Sequence, residues 1–215
     1  MIQLQNLTFQ YEKNASPFNF PDWQVAQGEQ RLLLGASGSG KTTLLHLLAG
    51  LRQPTSGTIR VGEQDLSQLK GPALDRYRGR HIGLIFQKPY LISALTLEKN
   101  LQLAQYLAGL PQDQTRISEV LETLGIAHRR RARVPALSQG EAQRASIARA
   151  VLNQPQVILA DEPTSSLDDE NCNRVLSLLQ EQAERYRATL IIATHDHRLQ
   201  KQVWQHLTIP LAAQS

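Results

Sequence analysis

Apolar positions change their period along the chain, and the changes mark its elements. Up to about residue 30, Ile2, Leu4 and Leu7 through Phe9 to Tyr11 place apolar and aromatic side chains between polar ones, with breaks at Pro17, Pro21 and Gly28. That predicts short strands. Arg31–Leu34 predicts a buried strand, Gly35 to Gly40 a glycine-rich turn, and Thr42–Leu51 a helix with Leu44, Leu45, Leu47 and Leu48 on its buried side. Pro54-Thr55-Ser56-Gly57 reads as a turn into a strand over Thr58–Val61, and His81–Phe86 as another apolar strand ending at Gln87. From Pro89 to about Asn153 the period is helical, with Leu97, Leu101, Ala104 and Leu107, then Ile117, Val120, Leu121 and Leu124. Val157–Ala160 predicts a strand, Val175, Leu178, Leu179 and Ala183 one face of a helix from about Glu170, and Leu190–Ala193 the last strong strand. Strands on both sides of a helical stretch predict an α/β core, residues 1–88 and 154–215, with a helical insertion over 89–153. No internal repeat or low-complexity tract interrupts this plan.

The turn carries chemistry. Gly35-Ala36-Ser37-Gly38-Ser39-Gly40-Lys41-Thr42 matches G-x-x-x-x-G-K-[ST] in full, between a predicted strand and a predicted helix. The glycines let backbone N–H groups close around phosphate oxygens, and the helix N-terminus adds positive potential. Lys41 is placed to reach the β- and γ-phosphates and the Thr42 hydroxyl to ligate Mg²⁺. A glycine turn capped by a threonine is the plainer alternative, and it leaves the full pattern unexplained. Val157-Ile158-Leu159-Ala160-Asp161-Glu162 supplies a second half, an apolar strand ending in two carboxylates. Asp161 then lies beside the Mg²⁺ at the carboxyl edge of the sheet, and Glu162 where it can polarise an attacking water. The alternative is an acidic surface pair, which fits poorly after four buried-type residues.

Two such motifs describe any phosphate-loop ATPase or kinase. Leu137-Ser138-Gln139-Gly140-Glu141, followed by Gln143-Arg144 and Ile147-Ala148-Arg149-Ala150, decides between them. It resembles the signature of ABC ATPases, written LSGGQ, and the helix after it. Gln87 ends a strand as the Q-loop glutamine of that family does, Ser165-Ser166-Leu167-Asp168 resembles its D-loop, and His195 ends a strand as its switch histidine does. Tyr11 is placed like the aromatic that stacks on adenine; it is also an ordinary strand aromatic. The resemblance runs from about residue 2 to 197. It implies a RecA-like core with an N-terminal antiparallel β subdomain and an inserted helical subdomain. It also implies ATP and Mg²⁺ as cofactors, held by Tyr11, Gly35, Ala36, Ser37, Gly38, Ser39, Gly40, Lys41, Thr42 and Thr43, with Thr42, Gln87 and Asp161 at the metal. Glu162, His195 and Gln87 take the catalytic roles. Ser138, Gly140 and Asp168 serve an ATP bound by an opposite subunit, so the resemblance implies a head-to-tail dimer or a pair with a related chain. In the transporter family the stretch after the Q-loop, here Lys88 to Ser93, receives a membrane permease. Leu159 to Thr164, Ile82 to Gln87 and Leu95-Thr96-x-Glu98-x-Asn100 look most like ATPase subunits for lipoprotein release, macrolide-type efflux and cell division. A regulatory ATPase of the cell-division type, which moves nothing, is the alternative.

Two departures bear on this. The signature reads LSQGE, and Ser138-x-x-Glu141 is also a capping-box pattern; a carboxylate facing the phosphate would weaken ATP-driven closure. After His195 the family commonly has a strand hairpin with a glycine turn, whereas Val203–Pro210 is short and glycine-free, and no regulatory domain is expected after it. His195-x-His197 suggests a metal pair only if further Cys or His residues support it, and the switch role explains His195 better.

Charge and composition then narrow the partners. The net charge of +4, from 23 basic and 19 acidic residues, equals the four arginines Arg129, Arg130, Arg131 and Arg133. A nucleic-acid binder spreads its cations over a face, so no nucleic-acid partner is expected. The cluster reads as a solvated helix end or as a contact for a partner subunit. Fewer than 100 residues separate Lys41 from Ser138, which disfavours an ABC ATPase of the DNA-repair type; a small-molecule kinase leaves Gln87 and the signature without a purpose. No apolar run approaches the roughly 20 residues needed to cross a bilayer. The start lacks a signal-peptide pattern, and the lone Cys172 fits a reducing compartment. The expectation is a peripheral subunit at the cytoplasmic side of the membrane, held there by its permease.

Overall fold

A computed structural model describes residues 1–12, 16–165, 168–196, 199 and 205–209. Two sheets form. In the first, β1 (Ile2–Phe9) pairs antiparallel with β2 (Phe18–Asn19), β3 (Trp23–Val25) and β5 (Ser56–Val61), and β5 with β6 (Gln64–Asp65). The alternation in β1 buries Ile2, Leu4, Leu7 and Phe9, as a sheet with one covered face requires. In the second sheet all pairings are parallel, in the order β10 (Gln205–Thr208), β4 (Gln30–Leu34), β9 (Thr189–Thr194), β8 (Val157–Asp161), β7 (Ile82–Ile85). Every residue of β9 is buried, the mark of a strand covered on both faces. The fold class is the α/β arrangement expected from the sequence, with its antiparallel β portion.

Between the sheets lies α1 (Lys41–Leu48), whose Leu44, Leu45, Leu47 and Leu48 pack with Leu33, Leu159 and Ile191 of the parallel sheet and with Ile2, Leu4 and Ile59 of the antiparallel one. The other face of the parallel sheet is covered by α3 (Leu97–Leu107), α4 (Gln114–Thr123), α5 (Gln139–Val151) and α6 (Asp169–Tyr186) through one apolar cluster. That cluster joins Ile85, Ile158 and Ile192 of the sheet to Leu101, Ile117, Ile147 and Leu179 of the helices.

Three differences from the sequence reading have physical causes. Helix α2 (Pro72–His81) lay in an unassigned stretch, because Leu74 is its only buried residue and no apolar stripe marks it. It starts on Pro72 at the first turn and collects Arg78, Arg80 and His81 in the last, as helix-end electrostatics favour. It runs straight into β7, so His81 belongs to the helix. Helix α1 stops at Leu48, before the predicted Leu51, because Gly50 takes a left-handed φ of 63°. Beyond His195, residues 205–208 extend the parallel sheet beside β4, with the Ile209 N–H donating to the Leu34 carbonyl at 2.8 Å. Residues 203, 204 and 210 of that glycine-free stretch lie outside the described residues.

The parallel register sets the site. Leu34 is level with Thr194, Asp161 with Ala193 and Ile85 with Ala160. The loops after β4, β7, β8 and β9 therefore leave the same carboxyl edge, where α/β sheets bind ligands.

Candidate functional site

The loop from Gly35 to Gly40 leaves β4 and feeds α1. Gly40 occupies the cap position with φ 99°, and no side chain caps the helix. The first N–H groups of α1 consequently have no partner from a cap, which is what an anion needs. Gly40 is required twice over, since a Cβ there would meet the Phe18 ring at 2.7 Å in a backbone conformation L-residues avoid. Gly40→Ala is expected to cost about 1–3 kcal/mol from backbone strain alone and to weaken ATP binding. A lower Tm together with a higher Kd for ATP checks this. Lys41 is buried and its Nζ donates to the carbonyls of Gly35 at 2.8 Å and Ala36 at 3.1 Å, so its ammonium is held over the loop.

Asp161 ends β8 beside this loop. Burial raises its pKa, and a hydrogen bond from Thr42 opposes the rise. Its Oδ1 is buried with no protein partner, an arrangement that is costly unless something else satisfies the oxygen. A hydroxyl, a carboxylate and the nearby Gln87 amide are hard oxygen donors of the kind Mg²⁺ takes. The residues fit that ion.

Glu162 follows with a left-handed φ of 48°, a conformation that costs about 1–3 kcal/mol in a non-glycine residue and clusters at functional sites. Its N–H donates to the Ala193 carbonyl at 2.9 Å. One carboxylate oxygen lies 2.7 Å from His195 Nδ1, and the other accepts from the Thr194 hydroxyl at 3.2 Å. The Glu162 side chain is 15% exposed and that of His195 68%, so the carboxylate is sheltered and the histidine reaches outward. Thr194 is a site residue that sequence reasoning missed; its place just before His195 on a strand ending at this edge was the available signal. Phe18 was missed too, because a two-residue strand gives no pattern.

A cavity of about 560 Å³ takes in Tyr11, Phe18, Ser37, Gly38, Gly40 to Thr43, Gln87, Glu162 and His195, whereas Gly35, Ala36 and the buried Ser39 do not line it. Tyr11 is half exposed. Its hydroxyl lies 2.8 Å from Thr43 Oγ1 and the Arg52 guanidinium sits 4.7 Å from its ring centroid. The ring is thus held against the helix that carries the phosphate loop.

Ser138, Gly140 and Asp168 are not brought to this cavity. Gly140 lines a separate recess with Gln139, Arg144 and Asn171. Ser138 and Asp168 cap α5 and α6, accepting from the N–H groups of Glu141 at 3.3 Å and Asn171 at 2.8 Å. Ser165 is placed, its hydroxyl donating to the Glu162 carbonyl at 3.0 Å, whereas Ser166, Leu167 and His197 lie outside the described residues. Among the described residues no group of three or more His, Cys, Asp or Glu could hold a metal. A hydrogen bond links the two regions, the buried Gln143 amide donating to the Pro163 carbonyl at 3.2 Å.

The arginine cluster does not end an α-helix; Arg129 closes, and Arg130 caps, only a single 3-10 turn. It spans a 3-10 turn, Ala127–Arg129, and the loop after it. Arg129 pairs with Glu141 at 2.7 Å and Arg130 with Glu98 at 2.6 Å. Arg131 and Arg133 are exposed. The capping box is complete, with Glu141 Oε2 accepting from the Ser138 N–H at 2.8 Å. The carboxylate that threatened the phosphate therefore points back along its own chain.

Comparison with known proteins agrees with this geometry. The profile of the family described as "ABC transporter" matches residues 18–165. The lipoprotein-releasing system ATP-binding protein LolD of Shewanella frigidimarina is 35% identical, covering 97% of this chain and 90% of that protein. The macrolide export ATP-binding/permease protein MacB of Escherichia coli O157:H7 is 45% identical over 83% of this chain, which spans 28% of that longer protein. Among solved structures, the dimeric post-hydrolysis state of the ATP-binding cassette MJ0796 bound to ADP and Pi is 29% identical with a TM-score of 0.82, over 93% of this chain and 90% of that one. With a phosphate loop, a strand-end carboxylate pair and a histidine assembled on one sheet edge, and these relatives along its length, the chain belongs to the ABC transporter family, as an ATP-binding and ATP-hydrolysing subunit.

Proposed function

We propose that two such chains, or this chain and a related one, close head to tail on two ATP molecules and so drive a separate membrane permease from the cytoplasmic side. One observation carries this reading: Gly140 opens on a recess apart from the phosphate cavity, and Ser138 does not line that cavity. A second chain would complete each site. Lys41 and the N–H groups of α1 hold the phosphates, Tyr11 stacks on adenine, and the partner's Ser138 and Gly140 face the γ-phosphate. Thr42, Asp161 and Gln87 would hold Mg²⁺, which when bound neutralises charge on the β- and γ-phosphates. Glu162 accepts the proton of the water that attacks the γ-phosphorus as ADP departs, and His195 fixes its carboxylate. Asp168, at the start of α6, faces the partner.

Residues 89–153 form the helical unit in this scheme, set into a core of 1–88 and 154–215. Their link to the site is Gln87. Phe86 beside it lines a groove of about 430 Å³ with Arg78, Leu107 and Arg149. Arg149 donates to the Tyr90 carbonyl at 2.6 Å, and Tyr90 and Ile92 are exposed. A cytoplasmic helix of the permease seated there would push on the Gln87 segment. No described helix is long and apolar enough to cross a membrane itself. Relatives named for lipoprotein release and macrolide export favour export or force transmission through the membrane over a regulatory ATPase that moves nothing. Co-expression with the chromosomally adjacent permease tests this. Co-purification and a several-fold change in ATP turnover are expected; a chain that purifies alone with turnover unaffected by the permease would overturn the reading.

A further inference from the structure

Glu141 is the one ionisable residue of the LSQGE segment, and it sits at the helix end that the paired-site reading presents to a polyphosphate. A free carboxylate there would offset the positive potential of the α5 N-terminus and repel the ligand. The structure shows how that is avoided. Glu141 is buried, with Oε2 on the Ser138 N–H and Oε1 on Arg129 Nε at 2.7 Å, 3.2 Å from His128 Nε2. Arg129 first, and the Ser138 N–H second, hold its pKa down to about 2. The Ser138 hydroxyl accepts from the Glu141 N–H, which leaves its own proton free to donate.

We infer that Arg129 is a positioning residue for the signature: it clamps and neutralises Glu141, so that α5 presents Ser138 and Gly140, without a competing carboxylate, to the ATP of a second copy of this chain. This rests on the paired-site reading above. Arg129 touches neither nucleotide nor metal in this scheme and acts only through Glu141.

The test measures ATP-driven dimerisation by light scattering in a Glu162→Gln parent. Adding Arg129→Gln is expected to raise the ATP concentration for half-maximal pairing by about tenfold or more, since it takes the one permanent cation from a buried carboxylate and leaves it the Ser138 N–H and the His128 ring. Adding Glu141→Gln to that variant is expected to bring it back to within about threefold of the parent, because an amide still accepts the Ser138 N–H and needs no counter-charge. ATP affinity of the monomer, set by the separate phosphate loop, is expected to stay unchanged in all of these variants, which general damage to the fold would not allow. Pairing unchanged by Arg129→Gln, or not restored by Glu141→Gln, overturns the inference while leaving the paired site intact. A parent that stays monomeric at saturating ATP defeats the paired-site reading and the clamp with it. Should Arg129→Gln prove too unstable to purify, Arg129→Lys decides: pairing within about threefold of the parent supports the clamp, since the charge is kept, and loss of pairing overturns it.

Discussion

Replacing Glu162 by glutamine is expected to give a protein that binds ATP, pairs and barely turns over, with hydrolysis reduced by about 10²–10⁴-fold, the usual contribution of a positioned base. The substitution keeps size and shape. The amide oxygen can still accept from the Thr194 hydroxyl, which lies 3.2 Å from the carboxylate, and the backbone bond to Ala193 is untouched. What disappears is the acceptor proposed for the proton of the attacking water. Steady-state phosphate release, with ATP binding measured in parallel, checks both halves. Turnover close to that of the unmodified protein would falsify the role given to Glu162.

Lys41→Ala is expected to act at the other stage, weakening ATP binding by roughly thirtyfold or more. Truncating one partner of a buried, hydrogen-bonded charge pair costs about 2–5 kcal/mol, and each 1.4 kcal/mol is tenfold in affinity. Lys41 is buried and its ammonium is fixed on the Gly35 and Ala36 carbonyls, so no neighbouring cation can swing into its place cheaply. Equilibrium titration with a fluorescent ATP analogue measures the loss. The two variants together separate binding from chemistry: Glu162→Gln keeps the first and loses the second, and Lys41→Ala loses both. A Lys41→Ala protein that binds ATP normally would contradict the assignment of the loop.

These predictions rest on unequal amounts of three-dimensional information. Gly35 to Thr42 and Val157 to Glu162 are contiguous, and their chemistry is local. A glycine-rich turn between strand and helix makes a phosphate cradle wherever it stands, and an apolar strand ending in two carboxylates puts them at a sheet edge. The spacing of apolar residues likewise marked α3, α4, α6 and the inner strands, because those elements bury one face or two. Helix α2 buries only Leu74, so the same reasoning had nothing to detect there.

Pairings between distant residues were a different matter. That Glu162 and His195 meet at 2.7 Å depends on β8 and β9 lying side by side in register; sequence order alone sets no distance between them. The charge surplus was legible as four arginines in a row of five, but its meaning was not. Arg129 and Arg130 are held by Glu141 and Glu98, which only the packing of α3 and α5 around the turn brings within reach. By itself, then, the sequence determined the phosphate-loop and carboxylate-pair motifs and the order of those elements that bury an apolar face, all properties of adjacent residues and their periodicity. The capping box was legible in Ser138-x-x-Glu141; that Arg129 reinforces it, and which carboxylates answer the arginines, was decided by tertiary structure, since a charge is neutralised by whatever folds against it.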